Sequence, residues 1–137
     1  MMSKIQLIPY FNFQGRAREA LEFYQQVLGG TLELYSIDEK GTAKPASPDE
    51  RISHGRLDAD GAVIFASDGH PSYPPGVGDN MAIALAGTDK DRLTQAISGL
   101  AEGGKIKAPL MEQAWGSEVG WLTDKFGINW MVTIDKA

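Results

Sequence analysis

Apolar and polar residues alternate from the start of the chain. Ile5, Leu7, Pro9, Phe11 and Phe13 stand against Gln6, Ile8, Tyr10 and Asn12, a period of two that predicts a first strand. Pro9 has no amide proton to donate, which suits an edge or a bulge. Gln14-Gly15 breaks the alternation, and from Arg16 the period becomes helical. Ala17, Ala20, Leu21, Tyr24, Val27 and Leu28 form one apolar stripe, and Gly29-Gly30 supplies the left-handed residue that ends such a helix. Residues 31–37 alternate again, with Leu32, Leu34 and Ser36 against Glu33, Tyr35 and Ile37. Residues 38–50 are polar and carry Gly41, Pro45 and Pro48, which reads as a loop, either a tolerated insertion or a lid over a pocket. Residues 52–57 and 62–67 then form a hairpin turned by Asp58-Ala59-Asp60-Gly61, with Leu57 expected opposite Ala62 and His54 opposite Phe65.

After a Gly- and Pro-rich stretch over 69–79 the order repeats. Residues 81–85 read as a strand, and Thr88-Asp89-Lys90-Asp91 as a capped helix start. Leu93, Ala96, Ile97, Leu100 and Ala101 give the second stripe, and Gly103-Gly104 closes it. Strands follow over 105–111, 117–122 and 129–134. The two hairpins share an Asp-x-x-Gly signature, with Asp58 and Asp124, and Gly61 and Gly127, both 66 residues apart (124 − 58, 127 − 61). The pattern predicts one domain over 1–137: a βαβββ module over 4–68, a linker over 69–79 and a second βαβββ module over 80–135.

The bulk properties narrow the function. At 137 residues and 42% hydrophobic content the chain is long enough for one ordinary globular core. A net charge of −5 with no basic run argues against nucleic-acid binding. With no cysteine there is no disulfide, no thiolate nucleophile and no Cys-ligated zinc. Met1 to Ile5 lack the apolar core of a signal peptide, and no run is long enough to span a membrane, so a cytoplasmic protein is expected.

Ile8-Pro9-Tyr10-Phe11-Asn12-Phe13, Glu19-Ala20-Leu21-Glu22-Phe23-Tyr24, Leu28-Gly29-Gly30, His54-Gly55-Arg56-Leu57, Ala66-Ser67-Asp68, Trp115-Gly116 and Asp124-Lys125-Phe126-Gly127-Ile128-Asn129-Trp130 together resemble the vicinal oxygen chelate superfamily. That superfamily includes glyoxalase I, bleomycin-resistance proteins and extradiol dioxygenases, and the resemblance is to its PhnB-like branch. It implies an α+β fold, two βαβββ modules forming an incomplete barrel around a pocket, and a homodimer. Sequences of this branch sometimes carry the label of 3-demethylubiquinone methyltransferase. No glycine-rich strand-to-helix turn opens a Rossmann-type unit here to hold a methyl donor.

Metal-dependent members of the superfamily often place a Glu four residues after the hairpin glycine. Here those positions hold Phe65 and Met131, neither a hard oxygen donor, and no His stands in the strands that open the modules. His54 and His70 are the two histidines, His70 in the linker. No cofactor is expected, although a divalent metal held by other ligands stays open.

The hairpin puts Ile52, His54 and Arg56 beside Val63, Phe65 and Ser67, a mixture that suits a pocket with apolar walls. His54 is either a general acid or base, the one catalytic candidate, or a structural histidine bonded to a neighbour. Arg56 either binds a carboxylate or phosphate or pairs with a nearby acid. Tyr10, Asn12, Tyr35 and Met131 complete the candidate ligand-binding set with Trp115, expected to stack on a flat ligand; Trp121 and Trp130 are expected in the core under the helices. The function expected is metal-independent binding of a small molecule. The alternative is a glyoxalase-like lyase, isomerase or dioxygenase acting on a small metabolite.

Overall fold

The computed structural model describes residues 6–69, 72, 75–76 and 78–136. His70 and parts of the expected linker and first strand lie outside the described residues. The chain divides into two units, Met1–Pro75 and Gly76–Ala137, with the boundary inside the Gly- and Pro-rich stretch. No helix among the described residues is long and apolar enough to cross a membrane.

The first unit runs β1 (Tyr10–Asn12), α1 (Ala17–Leu28), β2 (Thr31–Ile37), β3 (Ala43–Pro45), β4 (His54–Ala59) and β5 (Ala62–Ser67). Its sheet has the order β1-β5-β4-β2-β3. β1 pairs parallel with β5 at the sheet's edge, and the other pairs are antiparallel. Pro9 precedes β1 and contributes only its carbonyl, which accepts from Phe65 N at 3.0 Å. The second unit runs β6 (Ile83–Gly87), α2 (Lys90–Leu100), β7 (Lys105–Glu112), β8 (Glu118–Thr123) and β9 (Asn129–Ile134), with sheet order β6-β9-β8-β7. Apart from β3, the two sheets have the same topology.

Each helix covers one face of its own sheet. The α1 stripe buries Ala17, Ala20, Leu21, Phe23, Tyr24 and Leu28, while Leu57, Ile64 and Ala66 are buried in the strands. Leu93, Ala96, Ile97 and Leu100 of α2 are buried in the same way, as are Leu122, Trp130, Val132 and Ile134. Each such side chain of Leu or Val size contributes about 1.5–3 kcal/mol on burial. The helix starts differ. Asp89 caps α2 by accepting from Arg92 N at 3.1 Å, as its sequence predicts. Arg16, at the start of α1, makes no side-chain cap; instead Asp68, buried at the end of β5, accepts from Ala17 N at 2.8 Å and from Ile52 N at 2.7 Å.

Three expectations are corrected. Residues 38–50 are not wholly loop, because β3 pairs with the end of β2, Tyr35 opposite Pro45 and Ile37 opposite Ala43. Asp38 closes that hairpin by accepting from Lys40 N and Thr42 N, both at 2.9 Å. Beyond it, Glu50 is held well below its usual range, to about 2, by its bond with Lys44 and then by the Ser47 amide.

The β4–β5 register also differs: Ala59, not Leu57, faces Ala62, so the turn is the two residues Asp60-Gly61, and Arg56, not His54, faces Phe65. The slip is two residues, an even number, so the side chains of β4 and β5 keep their expected faces, whereas Ile52, expected beside His54, precedes β4 and is buried in the core. Finally, Trp121 is not core. It pairs with Met131, while Leu122 pairs with Trp130, so Trp121 and Trp130 lie on opposite faces. Trp130 is 1% exposed and Trp121 41%.

Candidate functional site

Strand alternation and register bring two rows of four side chains to the face of the first sheet that α1 leaves uncovered. On one row β1, β5, β4 and β2 contribute Tyr10, Phe65, Arg56 and Glu33; on the next they contribute Asn12, Ser67, His54 and Tyr35. All seven candidates of the first unit therefore share one face. The helix side is marked by Gly55, where a Cβ would run into Leu21 Cδ1. Glu33 and the 55% exposed Ile37 also belong to the uncovered face, and sequence reasoning left them out. The signal was present, since both alternate in step with Tyr35.

Several polar groups of this face are already engaged. Tyr10 Oη donates to Ser67 Oγ at 2.6 Å, and Ser67 Oγ also accepts from Gly69 N at 3.1 Å. Asn12 Oδ1 accepts from Gln14 N at 3.0 Å. Arg56 meets Asp58 at 3.0 Å and lies over the Phe65 ring, 5.7 Å from its centroid. Of the two roles open to Arg56, the ion pair is the one formed. His54 lies between Tyr35, nearly parallel at 6.5 Å, and Phe65, edge-on at 4.9 Å. Among the described residues nothing hydrogen-bonds to its ring nitrogens, so one donor and one acceptor are available to a ligand.

In the second unit Met131 is half-buried on the face that α2 leaves uncovered, beside Trp121. Thr133 lies on the same face, and its buried hydroxyl bonds no described residue. Trp115 stands apart from them, 71% exposed in the connection between β7 and β8, where Gly116 N donates to Gln113 O at 2.9 Å. A cleft of about 510 Å³ opens at that end of the sheet and is lined by none of the expected site residues. Its charged groups are engaged, Lys90 with Glu118 at 3.1 Å, Lys136 with Glu112 at 3.5 Å, and Asp135 by accepting from Ser117 Oγ at 2.8 Å. The ring-lined face of the first sheet is the better candidate.

The superfamily's ion is a poor fit to these residues. Phe65 and Met131 lie on the helix-free faces of their own sheets, and neither is a hard oxygen donor. Among the described residues no three His, Cys, Asp or Glu side chains gather to hold a metal.

Two βαβββ units, each with one helix over one face of a mixed sheet, define a protein of the glyoxalase/bleomycin resistance/dioxygenase fold. A member of that superfamily from Sphaerobacter thermophilus DSM 20745 has this fold at 19% identity, with a TM-score of 0.55 over 97% of this chain and all of the other. A sequence model described as 3-demethylubiquinone-9 3-methyltransferase matches residues 5–133, and the chain belongs to that PhnB-like family. Protein YjdN of Escherichia coli (strain K12) is 30% identical over 142 residues, 95% of each chain. Protein PA1353 from Pseudomonas aeruginosa is 36% identical, with a TM-score of 0.81 over 98% of this chain and 100% of the other. A putative 3-demethylubiquinone-9 3-methyltransferase, the PhnB protein of Bacillus cereus, matches at 20% identity and a TM-score of 0.73, over 96% and 100%.

Proposed function

We propose that this protein binds a small molecule on the helix-free face of its first sheet, without the superfamily's metal ion. The observation that carries the reading is the convergence of Tyr10, Asn12, Tyr35, His54, Arg56, Phe65 and Ser67 from four strands onto one face. Apolar area with a few placed polar groups is the composition of a ligand site. Methyl transfer, the activity in the family's description, has less support. Neither sheet is the doubly wound parallel sheet that presents a glycine-rich turn to a nucleotide-like donor. The competing reading is a glyoxalase-like lyase, isomerase or dioxygenase, and the observation in its favour is that the His54 imidazole bonds none of the described residues.

A ligand that binds only the folded state raises the melting temperature by mass action. In a thermal-shift screen of metabolites, the compounds that stabilise the protein are expected to lose their effect in Phe65→Arg and His54→Ala. If every stabilising compound acts equally on those variants, the face is not the site. Tight calorimetric binding of S-adenosylmethionine would favour the methyltransferase reading instead.

A further inference from the structure

Resting on that reading, we propose that the ligand is a flat, conjugated, uncharged ring compound that lies against a ladder of four rings. Tyr35, His54, Phe65 and Tyr10 stand on β2, β4, β5 and β1, which are consecutive neighbours in the sheet. Tyr35 is the register partner of His54, and Tyr10 that of Phe65. The planes of His54 and Tyr35 differ by 15°, and His54 and Phe65 meet at 71°. Three strand spacings of about 4.8 Å make the ladder about 14 Å wide, enough for two or three fused rings.

The exposure of these rings supports a binding role. Tyr10 is 56% exposed and the other three are half-buried. Aromatic side chains carry large apolar areas and are normally placed where folding buries them. Here α1 covers the opposite face with Ala20, Leu21 and Tyr24, and the ring ladder stays partly in water. The charges indicate what it accepts. Arg56 is held by Asp58, with the acidic Glu33 as its register partner on the other side, so among the described residues the face offers no uncompensated Lys or Arg to an anionic ligand. His54 offers one hydrogen-bond donor and one acceptor, which match a ring N–H, carbonyl or hydroxyl.

The test uses the full chain in calorimetric titrations with three probes: acridone, which is flat and uncharged; dicyclohexyl ketone, which is uncharged and saturated; and acridine-9-carboxylate, which is flat and anionic. Acridone is expected to bind at least about tenfold more tightly than either, the scale of one stacked ring. Phe65→Leu and Tyr35→Leu, each checked for an unchanged melting temperature, are expected to weaken acridone about tenfold and the saturated ketone hardly at all. Equal binding of acridone and the saturated ketone, preference for the anion, no binding of acridone, or indifference to both substitutions would each overturn the proposal. The underlying reading fails separately. If saturated or anionic metabolites stabilise the protein through Phe65 and His54, the face is a ligand site and only the flat-ring inference is lost.

Discussion

Buried at 3% exposure, the Asp124 carboxylate accepts from Phe126 N at 2.8 Å, from Ile128 N at 3.0 Å and from Trp130 Nε1 at 2.9 Å. It fixes the β8–β9 turn and, through Trp130, ties that turn to the core beneath α2. An ionised acceptor strengthens each bond, and a buried donor left without one costs its full desolvation. Asp124→Ala is therefore expected to lower stability by about 3 kcal/mol in urea denaturation. Trp130→Phe removes the indole donor and part of a buried ring, and should cost about 2 kcal/mol. Because the two share a bond, the double variant should lose less than the sum. Strict additivity would mean that the indole and carboxylate are not coupled.

At the scale of elements, the two units reuse the same close approaches. A Cβ on Gly30 would collide with Asp58 O and sit 2.6 Å from Ala59 Cα; one on Gly104 would collide with Thr123 O and sit 2.8 Å from Asp124 Cα. In each unit the second glycine after the helix thus lets the chain pass against the end of the hairpin's first strand. Gly104→Ala is expected to cost about 2–3 kcal/mol, because backbone must move. Gly29→Ala, with nothing within 4 Å but φ at +78°, should cost about 1 kcal/mol. Urea midpoints that ranked the two in the opposite order would remove close approach as the reason for the second glycine.

The same correspondence corrects the sequence match between hairpins. Gly55 and Gly120 both stand under a helix residue, Leu21 and Ile97, 65 residues apart (120 − 55) rather than 66. Asp124 therefore corresponds to Ala59, not to Asp58. The second hairpin is one residue longer, Lys125-Phe126-Gly127 closed by Asp124 N to Ile128 O at 2.8 Å, against Asp60-Gly61 in the first. Periodicity made both helices, the strands other than β3 and the faces of the candidates on strands legible, because faces depend only on parity. Register, turn length and the remote cap from Asp68 were not legible, since each depends on partners far apart in sequence. Trp121 was misplaced for a related reason: it is one position out of step with Leu122 and thus across the sheet from Trp130.

For the whole molecule, the question is whether a duplicated frame known for holding an ion works without one. A catalytic ion needs about three converging donors and an open position. In each unit the helix-free face carries, at the position four residues after the hairpin glycine, a side chain that is no hard donor: Phe65 in the first and Met131 in the second. A thioether is a soft ligand, poorly matched to hard divalent ions, and Phe65 donates nothing. His54 alone, between two aromatic rings, would hold an ion weakly. On the proposed reading, the protein purified from metal-replete medium carries far less than one divalent ion per chain, and chelator leaves ligand affinity and melting temperature unchanged. Elemental analysis and paired titrations before and after chelation read both quantities. One Zn²⁺, Ni²⁺, Mn²⁺ or Fe²⁺ per chain, removed by chelator together with ligand binding and lost in His54→Ala, would overturn metal-free binding and favour the lyase, isomerase or dioxygenase. An ion retained by His54→Ala but irrelevant to the ligand would instead point to donors away from this face, and the ring-lined sheet would keep its role.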